Sequence, residues 1–368
     1  MATKTRLPLT TIAFPVLAVT FVLLTPILPF GGAAAMSASS LAISGAMTVI
    51  MLGAIFSAVY HADIIAHRTG EPIGTLVLTL AVTVIEVALI ESVVLTPNAS
   101  PALARDTVFA VIMIVCNGLV GLCIMVGGLR HREQEFQVSG ASVYLNLLGA
   151  LSVLTLVLPN YVLTVSGPYF STEQLIFVSI VTVILYTTFL FIQTSRHAEY
   201  FRAADKRTVA RSLAHPSNRA VVVSVIMLLM ALGGVILIAK KFAVILESGL
   251  AHIGAPPAFA GIIIAMVVLA PESIAAVRAA WRDVLQKSLN VALGSSLATI
   301  GLTIPAVAIT NVILGRQIEI GLSGRDSLLL ALTLFLSVLT FSSGRTNILV
   351  GLVHLVVFAT YLFLSFVP

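Results

Sequence analysis

The chain has 368 residues, of which 59% are hydrophobic and only 10% are charged, and its mean hydropathy is +1.10. An average soluble domain carries about 25% charged residues, and a disordered chain needs low hydrophobicity. Both classes are therefore excluded. The net charge of +5 fits basic loops on one side of a membrane and not nucleic-acid binding. The predicted partner is the lipid bilayer, with no nucleic acid.

Apolar stretches long enough to cross a bilayer occur about eleven times, and they are continuous, which is typical of membrane helices and not of barrel strands. In chain order they cover roughly 9–30, 39–66, 71–96, 106–129, 139–160, 171–194, 219–248, 256–280, 286–314, 325–342 and 345–367. The first stretch has the basic start and the following small residues of a signal peptide. It is longer than a usual signal-peptide core, so we predict a retained helix.

The distribution of basic residues predicts the orientation of these helices. If the N-terminus is cytoplasmic, fifteen of the twenty Lys and Arg residues fall on the cytoplasmic side. The five on the other side are Arg105, Lys240, Lys241, Arg316 and Arg325. We therefore expect a cytoplasmic N-terminus and a periplasmic C-terminus.

The ten helices after the first divide into five and five at a polar segment. The predicted organisation is an N-terminal helix (1–38), a first repeat (39–194), a cytoplasmic loop (195–218) and a second repeat (219–368). Because each repeat has an odd number of spans, the second must be inverted relative to the first. Inverted repeats around a site near the bilayer midplane are typical of secondary transporters.

Two glutamates occupy matched positions in these repeats. Glu86 lies 14 residues after Pro72, and Glu272 lies 15 residues after Pro257. At 1.5 Å per residue both lie roughly 21–23 Å along their helices, near the middle of the membrane or somewhat past it. A charge there costs at least ~2.5–3.5 kcal/mol and is usually functional. A carboxylate in such surroundings binds a cation or carries a proton, so the pair predicts a site for a cation exchanged against protons.

Neutral oxygens near the two glutamates could complete this site. Pro271 has no N–H, so the carbonyl of Val267 loses its helical partner. The other candidates are Asn117, Ser295, Ser296 and Thr83. Serine and threonine in membrane helices also commonly bond their own backbone, so this alternative stays open for the three hydroxyls.

Five further residues are candidates for an ion or proton pathway. They are Glu91, Thr79, Thr299, His61 and Asp63. Glu91 points about 140° away from Glu86 on a 3.6-residue helix and could simply reach the outer interface. His61 and Asp63, with His67, could instead form a polar helix end at the cytoplasmic interface. The run 130–135 is interpreted as a solvated loop, with cation capture or regulation as the alternative.

Several stretches also resemble a known family. They are Gly70-Glu71-Pro72, Thr83-Val84-Ile85-Glu86, Leu129-Arg130-His131-Arg132-Glu133-Gln134-Glu135-Phe136, Leu269-Ala270-Pro271-Glu272 and Ala292-Leu293-Gly294-Ser295-Ser296. They resemble the calcium/cation antiporter superfamily, in its branch of bacterial ChaA-type calcium (sodium, potassium)/proton antiporters.

The resemblance implies a fold of one extra helix and two inverted five-helix halves, with cation coordination by Glu86 and Glu272. It places the family's polar positions at Asn117, Ser295 and Ser296. The chain departs from vacuolar-type relatives, which carry a Gly-Asn-Ala-x-Glu-like motif before each acid. Here 83–85 read Thr-Val-Ile and 269–271 read Leu-Ala-Pro, so selectivity broader than calcium is expected.

These observations predict an all-α polytopic membrane protein that exports Ca²⁺ in exchange for H⁺ by alternating access. A Na⁺/H⁺ or K⁺/H⁺ antiporter is the main alternative, followed by a Na⁺/Ca²⁺ exchanger and a channel. No Ser–His or paired-aspartate motif occurs at membrane depth, so neither enzymatic activity nor a cofactor is expected. A bacterial inner membrane is the expected location, and a homo-oligomer is left open.

Overall fold

The computed structural model describes residues 7–24, 38–70, 73–95, 100–201 and 216–367. The described segments are helical apart from connecting turns and one short pair of strands. The thirteen α-helices are α1 (Leu9–Leu24), α2 (Ala38–Thr69), α3 (Ile73–Val94), α4 (Leu103–Met113), α5 (Val120–His131), α6 (Val138–Ser152), α7 (Thr172–Phe191), α8 (Asn218–His252), α9 (Ala258–Trp281), α10 (Leu285–Ala298), α11 (Ile304–Leu314), α12 (Gly324–Ser342) and α13 (Ile348–Phe366). The strands are β1 (Gln134–Glu135) and β2 (Arg345–Thr346).

Four of these helices continue into a π-helical turn, in which the backbone hydrogen bonds run from residue i to i+5. The turns are π1 (Ile114–Leu119), π2 (Val153–Val157), π3 (Ile192–Arg196) and π4 (Thr299–Thr303). Because π1 joins α4 to α5 and π4 joins α10 to α11, each of these pairs forms one continuous membrane span. A short 3₁₀ turn at Leu158–Tyr161 ends the span that begins with α6, and another at Ala198–Phe201 follows the span of α7.

In the described part of the chain, ten spans are long and apolar enough to cross a membrane, and α1 is a shorter apolar helix. The predicted fold class, an all-α polytopic membrane protein with one extra N-terminal helix and two five-helix sets, is confirmed. Some predicted features lie outside the described residues: Glu71, Pro72, the segment 25–30 and residues 202–215 of the polar loop. The repeat boundaries stay a prediction.

The helices form two compact units, and each unit takes helices from both predicted repeats. The first unit contains α1, α2, α3 and α8. Within it, α2 packs against the other three helices. The side of α1 that carries Ala18 and Phe21 is buried. The backbones of α2 and α3 approach closely where Gly74 faces the Ala66 carbonyl.

The second unit contains α4 to α7 and α9 to α13. Its most deeply buried span is α4–π1–α5, which contacts α9, α10, α12 and α13. A Cβ atom on Gly121 would lie 2.9 Å from the Gly351 carbonyl oxygen, and one on Gly351 would lie 2.8 Å from that of Gly121. These two glycines therefore allow α5 and α13 to pack backbone to backbone, a contact that any side chain would prevent.

Candidate functional site

Glu86 lies on α3 in the first unit, and its side chain is buried, with 3% exposed. Thr83, one turn earlier on the same face, is also buried, and its hydroxyl has no hydrogen-bond partner among the described residues. Thr79 and Glu91 are only partly buried. The structure therefore places a carboxyl and a hydroxyl together on the buried side of α3.

His61 and Asp63 have different surroundings in the first unit. His61 is fully buried, and its ring nitrogens lie 3.0 Å from the Ser224 hydroxyl and 3.0 Å from the Thr11 carbonyl oxygen. The imidazole thus links α1, α2 and α8. Asp63 is exposed and lies 3.6 Å from His67, one turn further along the helix. The two predicted pathway residues therefore share a helix but not an environment.

Glu272 lies on α9 in the second unit, directly after Pro271. Its Oε2 atom is shielded from solvent and has no hydrogen-bond partner among the described residues. The helix continues through Pro271 without a break from Ala258 to Trp281. The Val267 carbonyl, four residues before the proline, cannot receive the usual helical N–H. This part of α9 therefore offers a carboxylate and, five residues before it, a backbone oxygen without its usual N–H donor.

The hydroxyls predicted after Glu272, those of Ser295, Ser296 and Thr299, lie on α10 and π4 in the same unit as α9, and Thr303 on π4 adds a further one. Ser296 and Thr303 are fully buried, and neither hydroxyl has a hydrogen-bond partner among the described residues. Thr299 is buried and donates a hydrogen bond to the Ser295 carbonyl at 3.1 Å. Ser295 itself is partly exposed. Because α9 packs against α10, Glu272 and these hydroxyls lie on adjacent helices.

Asn117 lies on π1 and is fully buried. Its Nδ2 donates to the Thr333 hydroxyl on α12 at 2.8 Å, and its Oδ1 lies 3.0 Å from Nδ1 of His354 on α13. The Nε2 atom of the same imidazole lies 2.9 Å from the Thr340 hydroxyl. The amide of Asn117 therefore points toward α12 and α13, while the backbone of π1 packs on α9 and α10.

Four of the six residues in the run 130–135 are exposed, as expected of a solvated segment, whereas His131 is partly buried and Gln134 is buried. Gln134 is buried, and its Nε2 donates to the Ala280 carbonyl and to Asp283 at the end of α9, both at 3.0 Å. His131 contacts the Trp281 carbonyl at 3.1 Å, and the guanidinium of Arg130 lies 4.7 Å from the centre of the Trp281 ring. These contacts cap the C-terminal end of the helix that carries Glu272.

The remaining residues of this run join a second loop. β1 pairs in antiparallel register with β2, with Gln134 opposite Thr346 and Glu135 opposite Arg345. The loop between α5 and α6 is thereby attached to the loop between α12 and α13. Glu133 and Arg132 make no part of this pairing and are exposed.

Sequence reasoning did not identify His354, Thr333, Thr340 or Gln134 as site residues. One signal was present for His354, because it is a single histidine in an otherwise apolar last span. In the described part of the chain, no three His, Cys, Asp or Glu side chains cluster closely enough to hold a metal. Ca²⁺ takes six to eight oxygen ligands, so a carboxylate site for this cation also uses neutral oxygens.

The chain matches the sodium/calcium exchanger protein family over residues 39–195 and 223–367. It is 45% identical to a Sinorhizobium fredii protein described as an ionic transporter, over 87% of each chain. It is 35% identical to the sodium-potassium/proton antiporter ChaA of Escherichia coli, over 99% of this chain and 98% of that one.

Among solved structures, the H⁺/Ca²⁺ exchanger CAX is similar in fold, with a TM-score of 0.72 and 15% sequence identity over 96% of this chain and 88% of that one. The sequence relatives are transporters and not enzymes. The chain is therefore a member of the sodium/calcium exchanger protein family, within the ChaA-type branch of the calcium/cation antiporter superfamily.

Proposed function

We propose that this protein is a secondary active cation/proton antiporter whose exchange site uses the carboxyls of Glu86 and Glu272. The observation that carries the proposal is the burial of one carboxylate oxygen of Glu272. Its Oε2 atom is buried in a membrane span without a hydrogen-bond partner among the described residues. Glu272 as a whole is partly exposed, and an ionised carboxylate with one such oxygen at membrane depth is costly, so binding of a proton or a cation stabilises it. A group that alternates between the two couples cation movement to proton movement.

The pairing of the two glutamates rests on their matched positions in the sequence. Both lie deep in apolar helices, and two carboxylates are neutralised equally well by two protons or by one divalent cation. Either occupied form avoids a net charge in the membrane, whereas the empty ionised form does not. The hydroxyl of Ser296, the amide of Asn117 and the Val267 carbonyl are the proposed neutral ligands in the second unit.

We propose Ca²⁺ as the preferred cation, because two carboxylates and several neutral oxygens suit a cation that takes six to eight oxygen ligands. Na⁺ and K⁺ are the second candidates, and the similarity to the Escherichia coli sodium-potassium/proton antiporter supports them.

In the proposed cycle, protons entering from outside displace the cation outward, and deprotonation on the cytoplasmic side restores the site. The proposed location is a bacterial inner membrane with a cytoplasmic N-terminus.

Glu86→Gln and Glu272→Gln test the assignment. A neutral amide of the same size cannot alternate between charged and uncharged forms, so each variant should lose cation-driven proton efflux. The measurement uses inside-out vesicles with an acidic lumen and a pH-sensitive dye, to which Ca²⁺, Na⁺ and K⁺ are added in turn. The order of the wild-type responses identifies the cation.

The matched control is Glu133→Gln, which makes the same chemical change at an exposed loop position and should leave the response at the wild-type level. Normal exchange by Glu272→Gln would remove this glutamate from the mechanism. A wild-type protein that moves a cation without moving protons would contradict antiport and favour a channel.

A further inference from the structure

Four hydrogen bonds inside the second unit run in series from side chain to side chain and end at a backbone carbonyl. The donor and the acceptor of each bond can be assigned. The Thr333 hydroxyl donates to the Leu329 carbonyl at 2.7 Å, so it must accept from Nδ2 of Asn117. The Oδ1 atom of that amide therefore faces His354. An amide oxygen can only accept a hydrogen bond, which requires the proton of the imidazole to be on Nδ1.

The second ring nitrogen of His354 makes the remaining hydrogen bond of the series. With the proton on Nδ1, the Nε2 atom of His354 is an acceptor, and the Thr340 hydroxyl is placed to donate to it at 2.9 Å. The order of donors is thus Thr340, His354, Asn117, Thr333. All four side chains are buried, so within the structure each bond is made by protein groups and not by solvent. A buried polar group that loses its partner is costly, and this cost holds the ring in one tautomer.

Close backbone packing brings the His354 imidazole within 3.0 Å of the Asn117 amide oxygen. Gly351 precedes His354 by about one helical turn and packs directly on Gly121 of α5. A Cβ atom on Gly118, the residue after Asn117, would lie 3.1 Å from the Phe358 ring. These close contacts bring α13 against α5 and π1, so the ring lies within hydrogen-bonding reach of the amide.

We propose that His354 is a positioning residue for cation exchange. Its Nδ1–H fixes the amide of Asn117 in one orientation, so that Oδ1 keeps a second lone pair in a constant place for a cation at π1. This inference rests on the proposed function, in which Asn117 is a cation ligand. The histidine itself does not touch the cation.

Substituting His354 by asparagine or by glutamine tests the hydrogen bonds of its two ring nitrogens one at a time. In His354→Asn, the new Nδ2 occupies the place of the ring Nδ1 and can still donate to Asn117. In His354→Gln, the longer side chain reaches toward Thr340 and leaves Asn117 without its donor. We expect the cation KM of His354→Gln to rise about tenfold, which corresponds to one buried hydrogen bond, with the maximal rate within about twofold of wild type. His354→Asn should retain a KM within about twofold of wild type.

The measurement is cation-driven proton movement in proteoliposomes that contain equal amounts of folded protein, as checked by size-exclusion chromatography. Thr340→Val, which keeps the shape but removes the donor to Nε2, should raise KM in the same direction as His354→Gln. Thr155→Val, the same change at a buried hydroxyl that donates to the Leu151 carbonyl of its own helix at 2.7 Å, should not. A wild-type KM for His354→Gln, or an equal rise for the Asn and Gln variants, would overturn the inference.

A second readout does not depend on transport. In protein labelled with ¹⁵N-histidine, the resonances that disappear in His354→Asn belong to this ring, and in the wild type they should report a protonated Nδ1 and an unprotonated Nε2. The opposite tautomer would overturn the inference even if transport is normal. A wild type with the expected tautomer but no exchange of any cation would contradict the proposed function instead.

Discussion

Ser296 has a buried hydroxyl on α10 that no described protein group satisfies. If this oxygen is a cation ligand, Ser296→Ala should raise the cation KM about threefold to tenfold, because one ligand is lost. Removing a hydroxyl that has no protein partner should cost little folding free energy, so the melting temperature should stay within a few degrees of wild type. Transport assays and thermal unfolding of the same preparation measure the two quantities.

Ser179 provides the matched control for this prediction. It is also a buried serine, but its hydroxyl donates to the Leu175 carbonyl of its own helix at 2.7 Å. Ser179→Ala should leave the cation KM unchanged. An equal change in KM for both variants would mean that Ser296 acts through packing and not through its oxygen.

The individual residues differ in how far sequence alone could identify them. Glu86 and Glu272 are visible because an acid in a long apolar run has a large energetic cost that needs a reason. The role of His354 was not visible, because its partner Asn117 lies 237 positions away in the chain. Gln134 was missed for a similar reason, since its partners Ala280 and Asp283 lie at the end of another helix.

At the scale of elements, the cap on α9 leads to a separate prediction. The amide of Gln134 is buried and donates to the Asp283 side chain and to the Ala280 carbonyl, which also accepts from the Asp283 N–H at 3.1 Å, so removing this amide removes two hydrogen bonds at the end of α9. Gln134→Ala should therefore lower stability by about 1–3 kcal/mol, seen as a fall of the melting temperature by several degrees. Glu133→Ala, its exposed neighbour, should unfold like wild type. A stable Gln134→Ala protein would show that the cap is dispensable.

Hydropathy located the spans well because the length of an apolar run is fixed by bilayer thickness. It could not locate the π-helical turns, since the change from i+4 to i+5 bonding has no signature in composition. Two of the turns follow the proposed carboxylates at similar distances: π1 begins 28 residues after Glu86, and π4 begins 27 residues after Glu272. Positions beyond such a turn are displaced by one residue from the pattern of a regular α-helix.

At the scale of the whole molecule, the orientation in the membrane is a prediction that labelling can test. Leu163 is 99% exposed in the loop before α7, on the predicted outer side, and Glu133 is exposed on the predicted cytoplasmic side. In intact cells, a membrane-impermeant maleimide should label Leu163→Cys but should label Glu133→Cys only after permeabilisation. The native cysteines, Cys116 and Cys123, are buried, so the unmodified protein is the background control. The reverse pattern would invert the topology.

The two compact units do not coincide with the two predicted repeats. Sequence reasoning divides the chain at the loop 195–218, because it can only group neighbours in the chain. Packing instead groups α8 with α1, α2 and α3. Hydropathy gives the number of helices, but which helices pack together depends on side-chain contacts that only the structure reveals.

The π-helical turns also affect how this chain compares with its relatives over evolutionary time. A π-helical turn contains one residue more than the α-helix needs to span the same distance. A relative in which residues 114–119 form an ordinary α-helix should therefore lack one residue there, and its alignment with this chain should show a one-residue gap inside a membrane span. Such a gap would record the insertion that formed the turn around Asn117.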